Sequence, residues 1–229
     1  MAAAFTHFRY ERKFLPDGLT LPEVVALVRY HPALFHEPYP ERMVNNLYFD
    51  TPDLRHYQHH INGAANRLKI RLRWYGDFRG RVEQPALELK IRHGLVCRKE
   101  AYAMPALDID GDFSRSKLEA RFQRDGLPEA ARLHLHCLEP SLANRYRRRY
   151  FCSADGALRL TLDWELRFAA PRNFHGASPA LFHCGPPVVV ELKYGDTHAE
   201  HAARAASVFP FRLTRCSKYV LGLQHVNGG

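Results

Sequence analysis

Within the stretch Asn66 to Tyr75 the chain alternates cation and hydrophobe without interruption from Arg67 to Trp74. Successive side chains of a strand point to opposite faces. Arg67, Lys69, Arg71 and Arg73 therefore share one face, and Leu68, Ile70, Leu72 and Trp74 the other. A helix would mix the two sets around its circumference. The stretch thus requires a sheet with one apolar face, which must be covered, and one strongly cationic face. Like charges side by side on that second face repel unless an anion lies against them.

The same i, i+2 pattern recurs at Arg9/Glu11/Lys13, Glu88/Lys90, Arg159/Thr161/Asp163 and Glu191/Lys193. A further stretch, Asn144 to Phe151, sets Tyr146, Arg148 and Tyr150 on one face and Arg145, Arg147 and Arg149 on the other. Taken singly, each such face reads as a solvated surface. Taken together, with cations in excess, they fit a sheet closed into a barrel whose lumen is lined by Arg, Lys and a few Glu. Such a lumen suits phosphate chains: guanidinium forks hold phosphoryl oxygens in pairs, ammonium groups add point charges, and carboxylates take a divalent metal.

The remaining pattern places helices around this sheet. Thr20 and Glu23 form a capping box before an apolar run that ends near His31, and helical patterns follow at Leu54–His60, Ser114–Arg124, Pro128–Leu138 and His198–Ser207. Pro38 and Pro40 mark a loop before a strand at Met43–Asp50, and Asp155-Gly156 turns between strands at Ala143–Cys152 and Leu158–Phe168. The segment Ala170–Pro187 reads as a loop, and the stretch around Arg215–Leu221 as a helix or a strand end. The fold class expected is α+β: an eight-stranded antiparallel β-barrel tunnel with helices packed outside, in one domain over residues 1–229.

Lysine and arginine number 33 against 24 aspartate and glutamate, so the partner expected is anionic. Strand faces without runs of stacking aromatics do not resemble a nucleic-acid-binding sheet, so no nucleic acid is expected. Cys97, Cys137, Cys152, Cys184 and Cys216 are scattered without a Cys-x-x-Cys pair and read as reduced thiols. None of the 14 histidines pairs with a convincing nucleophile or ligand set, and they read as surface or packing residues. No apolar run is long enough to span a membrane and the N-terminus has no signal-peptide pattern, so the expectation is a cytoplasmic chain. Nucleotide-binding loops of the Gly-x-x-x-x-Gly-Lys type and kinase motifs are missing.

Eight short motifs stand in one order along the chain: Arg9-x-Glu11-x-Lys13, Tyr48-Phe49-Asp50-Thr51-Pro52-Asp53-Leu54, Arg71-x-Arg73-x-Tyr75-Gly76, Glu88-x-Lys90, Tyr146-x-Arg148, Arg159-x-Thr161-x-Asp163, Glu191-Leu192-Lys193-Tyr194 and Ser217-Lys218-Tyr219. In these the sequence resembles the VTC domain, the polyphosphate polymerase domain of the triphosphate tunnel metalloenzyme (CYTH-like) superfamily. The resemblance implies a tunnel that binds ATP, triphosphate or polyphosphate with Mn²⁺ or Mg²⁺. It implies catalytic roles for Lys13, Arg71, Arg73, Lys90, Arg148, Arg159 and Glu191. It implies substrate contacts from Arg9, Lys69, Lys99, Tyr146, Lys193, Ser217 and Lys218, with Glu191 and Glu11 as metal ligands. Arg9 replaces the first glutamate of the hydrolase branch's Glu-x-Glu-x-Lys opening, which favours the polymerase branch. ATP-dependent polyphosphate synthesis is the activity implied, with a triphosphatase or a non-catalytic polyphosphate- or nucleotide-binding module as alternatives. A membrane partner and the oligomeric state stay open.

Overall fold

The computed structural model describes residues 10–94, 96–109, 120, 122, 126–170 and 181–227. The helix expected at Ser114–Arg124 lies almost wholly outside these residues, and Arg9 lies outside them too.

Strands β1 (Tyr10–Leu15), β2 (His36–Asp50), β3 (Asn66–Tyr75), β5 (Ala86–His93), β6 (Val96–Ala103), β8 (Glu139–Cys152), β9 (Leu158–Ala169), β10 (Phe182–His183), β11 (Val188–Tyr194) and β12 (Arg212–Leu213) form one antiparallel sheet. Its order is β12-β1-β11-β9-β8-β2-β3-β5-β6, with β10 paired to β9. A small second sheet pairs β4 (Gly80–Val82) with β7 (Leu107–Ile109). The α-helices whose bounds fall among the described residues are α1 (Leu21–Arg29), α2 (Arg55–Ile61), α3 (Glu129–Leu135), α4 (Ala199–Val208) and α5 (Lys218–Asn227).

The large sheet is curled. Six strand spacings separate β1 from β5, roughly 29 Å if the sheet were flat, yet Lys90 Nζ of β5 lies 2.6 Å from Glu11 Oε2 of β1. Among the described residues, however, the backbone ladders form an open path, where a closed eight-stranded barrel was expected. The end strand β12 has only two residues and pairs only with β1, too short an edge to carry a closing ladder.

Strand β2 runs much longer than the sequence suggests, because it continues through Pro38 and Pro40. Its pairing with β8 shifts register between His36 and Tyr39 and again between Tyr39 and Arg42. Bulges of this kind leave residues out of the ladder, so the missing proline N–H groups interrupt no ladder bond. Within the expected loop at Ala170–Pro187, Phe182 and His183 add β10 to the sheet.

The outer, apolar face is covered in two patches. Leu158, Leu160, Leu162, Val190 and Leu192 pack under α1 and α4, with Val24, Val28, Ala202 and Ala205 fully or almost fully buried. The Thr20 N–H donates to Glu23 Oε2 at 2.7 Å, the capping contact that starts α1. Leu47, Ile70, Leu72, Trp74, Leu87 and Leu89 pack instead under α3 and the β4–β7 pair.

The inner face is charged over most of its extent and apolar at one end. Helix α5 seats there, with Tyr219 and Leu223 against Leu142, Leu166, Phe168 and Val189. Gly222 permits this close approach, since a Cβ at that position would collide with Phe168 and Leu142. Glu165 adopts φ +51° beside the register shift between Arg145 and Arg147. That irregularity moves the inward series of β9 from Thr161 and Asp163 to Leu166 and Phe168, and so turns a charged wall into an apolar one.

Candidate phosphate-binding cavity

The curled sheet encloses a cavity of about 380 Å³. Nine lysines and arginines line it against three glutamates, so its field is that of an anion site.

Register explains how the cations meet. Lys69 of β3 lies opposite Lys90 of β5, and Lys90 opposite Lys99 of β6, which sets three lysines in one row across three strands. One row along, Arg71 lies opposite Glu88. Arg71 Nε and Nη2 donate to Glu88 Oε2 at 2.8 and 2.6 Å, and Lys99 Nζ donates to Glu88 Oε1 at 2.8 Å. Arg73 Nη1 is 3.5 Å from the same carboxylate, and its Nε donates to Asn46 Oδ1 at 3.0 Å. Burial opposes the charge of Glu88, but Arg71, Arg73 and Lys99 outweigh it and hold the carboxyl well below its usual range.

The opposite wall comes from β1, β11, β9, β8 and the start of α5. Glu191 sits beside Lys13 at 3.5 Å and Lys193 at 3.0 Å, with Arg148 at 4.0 Å. Its carboxyl is also held well below the usual range, because Lys193, Lys13 and Arg148 outweigh the cost of burial. Arg148 forks onto the buried Asp163 at 2.5 and 2.7 Å, and Lys218 Nζ donates to Asp163 Oδ2 at 2.6 Å. Tyr146 lies beneath both cations, with Arg148 5.3 Å and Lys218 4.8 Å from its ring centroid. Burial raises its phenol pKa, but Arg148 and Arg73 pull it down to about 8.

Lys69 differs from these partnered cations. Its Nζ donates to a neutral hydroxyl, Ser217 Oγ, at 2.9 Å. Burial first, and then Lys13, Lys90 and Arg71, push its pKa well below the usual lysine value. Lys13 shows the opposite balance: burial opposes its charge, yet Glu191 and Glu11 leave its pKa raised.

Ser217 and Lys218 owe their position to Asp50, at the end of β2. The fully buried Asp50 carboxylate accepts from the N–H groups of Thr51, His56 and Tyr57 at 2.8, 2.9 and 2.9 Å, which anchors α2. It also accepts from the Tyr219 hydroxyl, next to Lys218 in α5. Asp50 of the Tyr-Phe-Asp-Thr-Pro-Asp motif is therefore a structural clamp that holds a cavity wall, while Tyr48 of the same motif lines the cavity and accepts from Arg71 Nη1 at 3.3 Å.

Of the site residues expected from sequence, Glu11, Lys13, Lys69, Arg71, Arg73, Lys90 and Lys99 line the cavity, as do Tyr146, Arg148, Glu191, Lys193, Ser217 and Lys218. Arg159 does not. It is exposed, in register with Lys193 but outside the lining, because it stands at the start of β9 where the wall meets solvent. Sequence reasoning left Glu88 and Asp163 out of the expected site, although both share a strand face with expected residues. Their role as acceptors depends on cross-strand register, which single-strand periodicity does not reveal.

Among the described residues no group of three or more His, Cys, Asp or Glu is placed to hold a metal ion. The cysteines are free, and no helix among the described residues is long and apolar enough to cross a membrane.

None of the curated proteins matches the chain. Solved structures do. An adenylyl cyclase candidate from Hippeastrum, described as having a dominant triphosphatase activity, superposes with a TM-score of 0.57 at 15% identity, over 96% of each chain. An adenylate cyclase candidate from Vibrio parahaemolyticus superposes with a TM-score of 0.54 at 15% identity, over 94% of this chain and 98% of that one. One from Bacillus halodurans also gives 0.54 at 15% identity, over 93% and 95%. At these identities the likeness is one of fold. The model of the VTC domain matches residues 8–227, nearly the whole sequence, and the chain belongs to that family.

Proposed function

We propose that the cavity binds the triphosphate of ATP and transfers its γ-phosphoryl group to the end of a growing polyphosphate chain, in a single domain whose curled sheet acts as a tunnel. The observation that carries the triphosphate reading is the row Lys69–Lys90–Lys99. Three directly opposed lysines destabilise a sheet unless an anion lies against them, and while Lys90 and Lys99 each have a carboxylate within 3 Å, Lys69 has only the Ser217 hydroxyl.

The donor set also fits a divalent metal that arrives with the substrate. Mg²⁺ takes one or two carboxylates and fills its remaining positions with phosphate oxygens and water. Glu191 would hold such an ion, with Glu11 as the second carboxylate, and Mn²⁺ or Mg²⁺ suits the all-oxygen set. When bound, the metal neutralises charge between phosphoryl groups.

The protein's own part is electrostatic. Arg71, Arg73, Lys90 and Lys99 on one wall, and Lys13, Arg148 and Lys193 on the other, hold the phosphoryl oxygens and stabilise charge as it moves to the leaving diphosphate. Glu88 pre-sets the two arginines so that little reorganisation accompanies binding. A terminal oxygen of the acceptor polyphosphate attacks the γ-phosphorus while the bridging P–O bond to ADP breaks. The acceptor is already ionised, so no base is needed. This matches the cavity, whose carboxylates Glu88 and Glu191 are tied to cations and held at low pKa, which makes them weak bases.

A triphosphatase is the second reading, and Tyr146 favours it. A phenol pulled down to about 8 is a cavity group able to act as a base for water. The similar Hippeastrum protein is described by that activity. Incubation with ATP and Mn²⁺ or Mg²⁺, with products resolved by length, separates the two. Polyphosphate chains support the polymerase, and ADP with free phosphate alone supports the triphosphatase. No turnover with either metal would remove the catalytic reading.

A further inference from the structure

Along β3 the inward series runs Lys69, Arg71, Arg73, Tyr75, and along β8 it runs Tyr146, Arg148, Tyr150. Both series pass from cavity cations to a tyrosine at the same end. Strand β2 lies between them and adds Tyr39, in register with Tyr150, and Arg42, in register with Arg148. The four residues touch. The Arg42 guanidinium is 5.5 Å from the rings of both Tyr39 and Tyr75 and 5.9 Å from that of Tyr150. The Tyr39 and Tyr150 rings meet edge to face at 6.0 Å. Tyr39 is 56% and Tyr75 45% exposed, so both present ring surface to solvent beside a polar cavity. Arg148 links the two regions, since it lines the cavity and lies 5.8 Å from the Tyr150 ring.

We propose that Tyr39, Arg42, Tyr75 and Tyr150 form a stacking subsite for the base of a nucleoside triphosphate whose phosphates occupy the cavity. The subsite deepens the reading of the cavity as a triphosphate site and rests on it. Three features support it. Two strand steps, roughly 7 Å, separate Arg73 from Tyr75 and Arg148 from Tyr150, which leaves room for a ribose between the last cation and the first ring. At the other end of the cavity the space is taken by α5, whose Tyr219 and Leu223 pack on Leu142 and Phe168. Exposed rings with an arginine among them provide the flat, π-rich and cationic surface on which bases stack, whatever their sequence identity. The subsite distinguishes a nucleoside triphosphate from inorganic tripolyphosphate, which has no ring to place there.

The test compares a non-hydrolysable β,γ-imido analogue of ATP with inorganic tripolyphosphate, by calorimetric titration of the full chain. Tyr39→Ala and Tyr75→Ala are each expected to weaken the analogue by about tenfold, within the range for loss of one stacked base, and to leave tripolyphosphate within about twofold. Tyr75→Phe is expected to retain wild-type affinity for both. Tyr39→Trp keeps a ring in place and is expected to show indole fluorescence quenched by the analogue and not by tripolyphosphate. Equal losses for both ligands, or unchanged binding of the analogue in the alanine variants with no quenching in Tyr39→Trp, would overturn the stacking subsite while leaving the cavity's reading intact. Failure of the wild-type chain to bind tripolyphosphate would overturn the cavity's reading itself, and the subsite with it.

Discussion

The two walls of the cavity carry similar numbers of cations and treat them differently. On the wall formed by β1, β11, β9, β8 and α5, Lys13, Arg148, Lys193 and Lys218 share Glu191 and Asp163. On the wall formed by β3, β5 and β6, Arg71, Arg73 and Lys99 share the single carboxylate of Glu88, Lys90 borrows Glu11 from across the cavity, and Lys69 has only a hydroxyl. The first wall is close to balanced before any ligand arrives. The second holds an unmet demand for negative charge, and that is where a phosphate gains most.

The largest effect should come from breaking the balanced wall. Arg148→Met leaves the fully buried Asp163 with Lys218 as its remaining partner. A loss of about 3 kcal/mol of stability is expected in denaturant unfolding, at the low end for a broken buried pair. A variant as stable as wild type would mean that the two walls are not differently compensated.

Next in size, Arg71→Ala on the second wall is expected to weaken tripolyphosphate binding by about 1.5–3 kcal/mol, the range for a charged hydrogen bond. Its cost in stability should be smaller than that of Arg148→Met, because Glu88 keeps Lys99 and Arg73. Lys69→Met sharpens the contrast further. Removal of a half-buried cation whose neighbours repel it should leave the ligand-free protein at least as stable, while tripolyphosphate binding falls by about 1.5 kcal/mol. Destabilisation of the free protein by this substitution would show that Lys69 is compensated after all.

The smallest effect concerns pH. Tyr146 has a depressed phenol pKa of about 8, so above that value it adds a negative charge to the cavity. A bound phosphate chain pushes that pKa back up, so affinity should fall as pH rises through about 8, and Tyr146→Phe should flatten this limb. The depressed pKa of Lys69 works in the same direction, since loss of its proton also removes a positive charge. Titrations on either side of that pH check the sign, and affinity that rises with pH would contradict it.

Much of this was legible in the sequence, because a two-residue period leaves little choice of structure. The alternation from Asn66 to Tyr75 assigned β3, its inward cations and its apolar back. The capping box at Thr20 and the turn at Asp155-Gly156 set local boundaries correctly, since both act within a few residues. What was not legible depends on contacts distant in sequence. The continuation of β2 through Pro38 and Pro40 rests on bulges against β8. The part of Glu88 as the acceptor for two arginines and a lysine follows from pairing between β3, β5 and β6. The exposed position of Arg159 follows from where β9 begins, and its motif spacing alone gave no hint of it. The Arg42–tyrosine cluster draws on three strands, and no single stretch announces it.

The most direct measurement is a calorimetric titration of the purified chain with inorganic tripolyphosphate at low and at moderate salt, repeated with Arg71→Ala and with Arg81→Ala. Arg81 is an exposed arginine paired with Glu83 and Asp108 away from the cavity. One saturable site per chain is predicted, weakened by salt, weakened at least roughly tenfold by Arg71→Ala and unaffected by Arg81→Ala. No saturable binding, or equal losses in the two variants, would contradict the central claim that this cavity is a triphosphate site.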